Sequence, residues 1–227
     1  MSCEHEHHHS HGDDDHGHVP PIPTSSVQNL REYIDFTQLR ALNVQQRNDE
    51  LQKVFRPSDE RFQLRGFIES DADCQMLLNI PFTGNVKLYS LIIRSDGEEH
   101  CPKTIKLFKN DKTLDFDNVN DKKPTFKVEH PLLGVMDDSL ASDPNEDSFI
   151  EHHLPRSQFQ STYHLTIFVQ DQHDDEDEST KMYYIEVRGI FTNPLSKDPV
   201  ITLYESAANP TDHKKLLQQE VGHNDIN

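Results

Sequence analysis

The first eighteen residues hold the densest set of metal-ligating side chains in the chain: Cys3, His5, His7, His8, His9, His11, His16 and His18. Imidazole and thiolate are borderline and soft donors, so a flexible segment carrying them wraps Zn²⁺, Ni²⁺ or Cu²⁺. Within it, His5-Glu6-His7-His8-His9 reproduces the H-E-x-x-H spacing of zinc proteases. That spacing works only on a buried helix, which sets both histidines on one face beside a third ligand and the glutamate. In a tail where almost every second residue is His, the match is expected by chance. Adventitious zinc or nickel on the tail is the expectation, and no other cofactor is expected. The acidic run from Gln170 to Ser179 also reads as a cation loop at first, since clustered carboxylates suit Ca²⁺. It lacks the EF-hand spacing and its turn glycine, so a solvated hairpin loop is expected. The acidic stretches 96–100 and 137–147 read the same way.

The motifs that would carry covalent chemistry are missing. There is no G-x-S-x-G nucleophile elbow and no G-x-x-x-x-G-K phosphate cradle among the eight scattered glycines. Cys3, Cys74 and Cys101 form no C-x-x-C, which excludes a thioredoxin-type redox centre or a zinc ribbon. Cys74 and Cys101 read as small buried hydrophobes. The chain is not expected to be an enzyme. With 22 Lys and Arg against 40 Asp and Glu, the net charge is −18. A surface built to neutralise phosphates needs the opposite sign, so nucleic acid is excluded as a partner, and so is a polybasic membrane attachment. No signal-peptide pattern and no bilayer-length apolar run is present. A monomer in the reducing cytoplasm and nucleus is expected.

Any site must be positioned by the elements between the tails. Hydrophobic residues make up 33% of the 227 residues, and the mean hydropathy is −0.80. The apolar residues are clustered, as in a normal domain diluted by polar tails. Residues 1–24 form a low-complexity tail expected to be disordered, residues 25–213 a domain, and 214–227 a polar C-terminal tail. Leu30, Tyr33, Ile34, Phe36, Leu39 and Leu42 give a partly helical pattern. Strands are expected at 62–69, 75–80, 86–94, 104–109, 125–129, 163–170, 182–191 and 200–205. Several alternate apolar and polar residues, and Asp96-Gly97 and Asn110-Asp111 supply turn chemistry between them. No helical period intervenes between strands, so parallel βαβ units are excluded. An all-β antiparallel sandwich or jelly roll with short helical segments follows.

Two stretches are more specific than a generic sandwich requires. In Ile80-Pro-Phe-Thr-Gly-Asn-Val86, Pro81 and Gly84 predict a tight turn between two strands, with Gly84 at positive φ. Such a turn would carry Phe82 at its tip, or else bury Phe82 in the core. In Tyr204-Glu-Ser-Ala-Ala-Asn-Pro-Thr-Asp-His213 a strand ends in an Asn-Pro turn. These stretches, with Ser70-Asp-Ala-Asp73, Leu77–Leu88 and Arg188-Gly189, closely resemble the PITH domain family, named for a proteasome-interacting thioredoxin. The resemblance spans about 27–213, and the His-rich tail resembles its stand-alone members. It implies a jelly-roll, galactose-binding-like β-sandwich and association with the 26S proteasome. Two-domain relatives carry a thioredoxin domain with C-x-x-C, and nothing here can play that part. Phe82, Thr83, Asn85 and Lys87 are the expected partner-binding residues. A small-ligand or sugar-binding sandwich and a metal-buffering tail are the alternatives.

Overall fold

In the computed structural model, which describes residues 22–98, 100–174 and 179–194, the organising element is a single strand of 20 residues, Met76–Ser95. Numbered along the chain, it is β3. Before it come β1 (Arg40–Leu42) and β2 (Ile68–Glu69). After it come β4 (Thr104–Lys109), β5 (Phe126–Glu129), β6 (Ile150–His153), β7 (Thr162–Val169) and β8 (Lys181–Pro194). Every strand pairing among the described residues is antiparallel.

β3 exchanges partners along its length. Its first half, 76–81, lies between β1 and β7, and β7 continues into β4 and β5. Its second half lies between β8 and β6, with β2 outside β8. The two halves form the leaves of a β-sandwich, and one hydrophobic core draws on both. β3 contributes Met76, Leu78, Ile80, Phe82, Val86, Leu88, Leu91 and Ile93, which meet Leu107 of β4, Ile167 of β7 and Val187 of β8 in one cluster.

The residues that β3 gives to this central cluster are even-numbered up to Leu88 and odd-numbered from Leu91. The switch falls where the pairing with β8 slips by one residue between Leu88 and Ser90. A bulge inserts one unpaired residue and so returns the alternating pattern to the core face.

The turn expected at 80–86 does not form. β3 runs straight through Pro81 and Gly84, and the register shifts between Pro81 and Val86 instead. Proline and glycine inside a strand mark a bulge as readily as a reversal, because both fit where the ladder is broken. Gly84 accordingly has no left-handed φ; the one glycine with positive φ among the described residues is Gly66, at 87°. What Gly84 supplies is close approach. A Cβ there would stand 2.5 Å from the Asn193 carbonyl oxygen and 2.5 Å from the Phe191 ring.

The expected strand at 62–69 shrinks to Ile68–Glu69. Arg56 is the physical reason, because its buried guanidinium donates to the carbonyls of Gln63 (2.7 Å) and Gly66 (2.9 Å) and to that of Tyr183 in β8 (2.7 Å). The partly helical pattern near residue 30 resolves into short 3₁₀ turns at Ser26–Gln28 and Arg31–Tyr33, followed by β1. Two smaller clusters cover outer faces of the sheet. Leu114 and Val119 lie over Leu77, Phe108 and Phe168. Leu64 and Val135 lie over Tyr183. The expected strand at 200–205, the 204–213 stretch, the C-terminal tail and the metal-ligand set Cys3 to His18 lie outside the described residues.

Candidate functional site

β8 places Ile185 and Val187 in the core, and by alternation Tyr184, Glu186 and Arg188 face the other way. Together with Ile92 of β3, Glu151 of β6 and the side chains of Arg61, Glu146 and Phe149, they line a cavity of about 190 Å³. Arg188 donates from Nε to Glu186 (2.5 Å). Tyr184 (2.6 Å) and Ser58 (2.9 Å) both donate hydroxyl hydrogens to the other Glu186 oxygen. Glu151 accepts from Ser90 at 2.6 Å and also from Thr24, whose hydroxyl in turn accepts from Arg188 at 3.1 Å. Burial works to raise the Glu151 pKa, but the Ser90 and Thr24 hydrogen bonds and the Arg188 charge outweigh it and leave the group below its ordinary value. Burial, and then the Glu186 bond, raise Tyr184. The network is mutually satisfied, and it ties the incoming chain at Thr24 to β6 and β8. The adjacent Gly189 is needed because a Cβ there would collide with the Lys87 carbonyl oxygen.

A second buried cluster joins the ends of β3 and β6. His130 Nδ1 and His152 Nε2 are 2.8 Å apart. His130 Nε2 lies 3.2 Å from the Ser95 hydroxyl, which lies 3.9 Å from Cys101 Sγ. Burial and the neighbouring His152 and His173 hold His130 down to about 3. Burial, then His153, hold His152 down to about 4. Burial pushes the Cys101 thiol up, so it stays protonated and packs as a small apolar group. Among the described residues, no group of three or more His, Cys, Asp or Glu is arranged to hold a metal.

The expected partner-binding residues are only partly brought together. Phe82 is 3% exposed and belongs to the core, so it cannot serve as a turn-tip anchor. The cause is strand alternation: with no turn, Phe82 shares the core face with Ile80. Thr83, Asn85 and Lys87 fall on the opposite face of β3, where Thr83 and Lys87 are exposed and Asn85 is half-buried.

The apolar surface that the sequence reading missed lies in the 131–142 connection between β5 and β6. Leu132 is 57% exposed, Leu133 39%, Met136 62% and Leu140 59%. This loop is nonetheless firmly seated. Val135 donates to the Ser95 carbonyl (2.9 Å) and accepts from Gly97 N–H (2.9 Å), and Ala141 accepts from Leu64 N–H (3.0 Å). Val135 itself is buried against Leu64 and Tyr183. Gly134 allows this approach, since a Cβ there would collide with the carbonyl oxygens of Ser95 and Asp96. Two hollows flank the loop. One, of about 220 Å³, is lined by Leu64, Phe67, Leu140 and Tyr183 among others. The second, of about 280 Å³, is lined by Asp96, Glu98, His100, Met136, Asp137, Asp138 and Lys181. Lys181 is engaged by Asp138 at 2.5 Å, and this bond, with that from Tyr183, holds the Asp138 carboxyl below the ordinary range. The signal was legible in principle: Leu132-Leu133-x-x-Met136-x-x-x-Leu140 is a cluster of large aliphatic residues with no strand pattern to bury it.

Residues 20–208 match the family model described as the PITH domain. The chain is similar to the PITH domain-containing protein 1 of Danio rerio, 37% identical over 182 residues that cover 80% of this chain and 79% of that protein. It is similarly related to PITH domain-containing protein 1 of Homo sapiens, 34% identical over 197 residues and covering 86% and 85% of the two chains. A PITH domain-containing protein of Schizosaccharomyces pombe is 37% identical over 169 residues, covering 74% of this chain and 75% of that one. Among solved structures, the chain is similar to CBM32-3 from a family 31 glycoside hydrolase of Clostridium perfringens, with TM-score 0.40, 10% identity, and 70% and 96% of the two chains covered. It is also similar to the lectin domain of Lectinolysin, with TM-score 0.40, 5% identity, and 76% and 100% covered. From its match to the family model and to these relatives, this chain belongs to the PITH domain family.

Proposed function

We propose that this chain is a non-catalytic protein-interaction module whose partner is the 26S proteasome, acting as a monomer in the cytoplasm and nucleus. The observation that carries the reading is the seated loop at 131–142, which holds four large aliphatic side chains in solvent. Large aliphatic side chains gathered on one exposed, seated loop are the kind of apolar surface that marks an interaction site. The polar cavity around Arg188 supports a binding role less well, because its carboxylates and guanidinium are bonded to one another. The proteasome as partner comes from the resemblance to the PITH family.

Co-sedimentation of the full-length chain with purified 26S proteasome tests the proposal. Binding is expected at low salt and should weaken at moderate salt, since a net charge of −18 is drawn to a basic surface by a screened attraction. No co-sedimentation of the folded chain at low salt overturns it.

A further inference from the structure

We infer that the 131–142 loop and its acidic flank form the docking surface for a basic, aliphatic-rich segment of a partner protein. The inference rests on the interaction-module reading and says where and with what chemistry the contact is made.

Three observations carry it. First, Leu132, Met136 and Leu140 are each more than half exposed although the loop that carries them is fastened at its middle and both ends. Its start is held by His130 N–H on the Lys103 carbonyl (2.7 Å), and Arg94 grips its far side through Asp143 (2.9 Å). A surface already held in place loses little conformational entropy when a partner covers it, and that raises affinity. Second, Leu140 borders a hollow of about 220 Å³, which Leu64, Phe67 and Tyr183 line together with Arg65, Asp138 and Ser139. Well-packed anchors in such hollows dominate interface energies.

Third, the charge beside the apolar patch has one sign in excess. Asp96, Glu98, Asp137 and Asp138 face Lys181 and His100 across the second hollow, and Lys181 is engaged by Asp138. Lysine or arginine side chains of a partner would complete the balance there. Arg65 lines the first hollow with Asp138 and is not among the residues of the second. The same charge argues against a second copy as occupant, because it would bring acidic flank to acidic flank between molecules of net charge −18.

The experiment uses the full-length chain and two exposed-surface double variants, Met136→Ser/Leu140→Ser and Glu98→Lys/Asp137→Lys. Their thermal unfolding should match the parent, since all four residues are exposed. The probe is a fluorescent synthetic Leu/Lys amphipathic peptide, with its Leu/Glu counterpart as control, and each protein is also co-sedimented with the proteasome. The parent should bind the Leu/Lys peptide and not the Leu/Glu one. Each variant should bind about tenfold more weakly or worse, the effect of losing roughly 1.4 kcal/mol of contact, and should lose proteasome in parallel. Equal proteasome binding by parent and variants overturns the docking surface while leaving the interaction-module reading intact. Peptide binding through the patch with no proteasome binding by the parent overturns the partner assignment alone. A dimer abolished by Met136→Ser/Leu140→Ser shows a second copy as the occupant and overturns the inference.

Discussion

At Gly84 the missing Cβ serves space and not conformation. The Asn193 carbonyl and the Phe191 ring occupy the volume that any side chain would need, and Phe191 is itself stacked on Tyr33 with ring centroids 4.3 Å apart. Overpacking a closed site costs about 1–3 kcal/mol, so Gly84→Val should lower the unfolding free energy read from urea denaturation by that amount, with Gly84→Ala smaller. A neutral Gly84→Val would show that the β3–β8 contact yields freely. Arg188 poses the converse problem. Its Nε holds Glu186, which is 2% exposed, and removing one partner of a buried pair strands the other. Arg188→Ala should therefore cost about 3–5 kcal/mol, and Arg188→Met with Glu186→Leu markedly less, because isosteric apolar replacement removes both charges together. Equal losses for the single and double variants in chemical denaturation would place the cost in packing.

Among the elements, the 131–142 loop is the one whose behaviour the fold can be asked to predict. Gly134→Ala brings a methyl group against the carbonyls of Ser95 and Asp96, so the hydrogen bonds between Val135 and the end of β3 should break. Amide exchange should speed up across 132–141, while the centre of β3, covered on both edges by β8 and β6, stays protected. Unchanged exchange in the loop would show that it is held by its ends alone. β3 also shows what sequence periodicity can and cannot reveal. Its apolar residues were legible on either side of 80–86, and the edges of β4 coincide with the expected 104–109. The continuity of β3 was not legible, because Pro81 and Gly84 suit a turn and a bulge equally. Only the strands that pair with each side of that segment decide between them.

For the whole molecule, acid is the condition to which the fold should be most sensitive. Burial is the leading cause that holds His130 at about 3 and His152 and His164 at about 4, against an ordinary value of 6.5. The folded protein keeps these rings neutral, whereas the unfolded chain protonates them as pH falls below 6.5. The unfolded state then binds more protons, so stability is full above pH 6.5 and falls as pH drops towards 4 and then 3. Each histidine contributes at most about 1.4 kcal/mol per pH unit in that window. Asp111 adds a loss at lower pH, since hydrogen bonds from Lys122 and Thr113 hold it at about 2 and it gives up stability as pH falls from 3.8 through that value. The unfolding temperature should decline steeply between pH 6 and 4. His164→Gln should make the decline shallower at little cost at pH 7, because His164 Nδ1 is buried without a hydrogen-bond partner. A flat profile, or an unchanged slope in His164→Gln, would show that these rings are hydrated in the folded state.

The sequence by itself determined the class of this protein. Alternating apolar runs with Asp-Gly and Asn-Asp breaks specify antiparallel strands, and Ile80–Val86 with Arg188-Gly189 carries the family. These are local or compositional properties, written in neighbouring residues. Only the tertiary structure decided that β3 is one strand, that a slip after Leu88 turns its odd residues inward, and that Phe82 is core and not surface. It alone decided that Arg188 answers Glu186 and reaches Thr24, 164 positions away. The exposed loop is the clearest case. Leu132, Met136 and Leu140 have the composition of core residues, yet they stand in solvent while Val135 of the same loop is buried against Leu64 and Tyr183. Which aliphatic residue is buried depends on the partners that distant segments bring to it, and a pattern along the chain does not contain them.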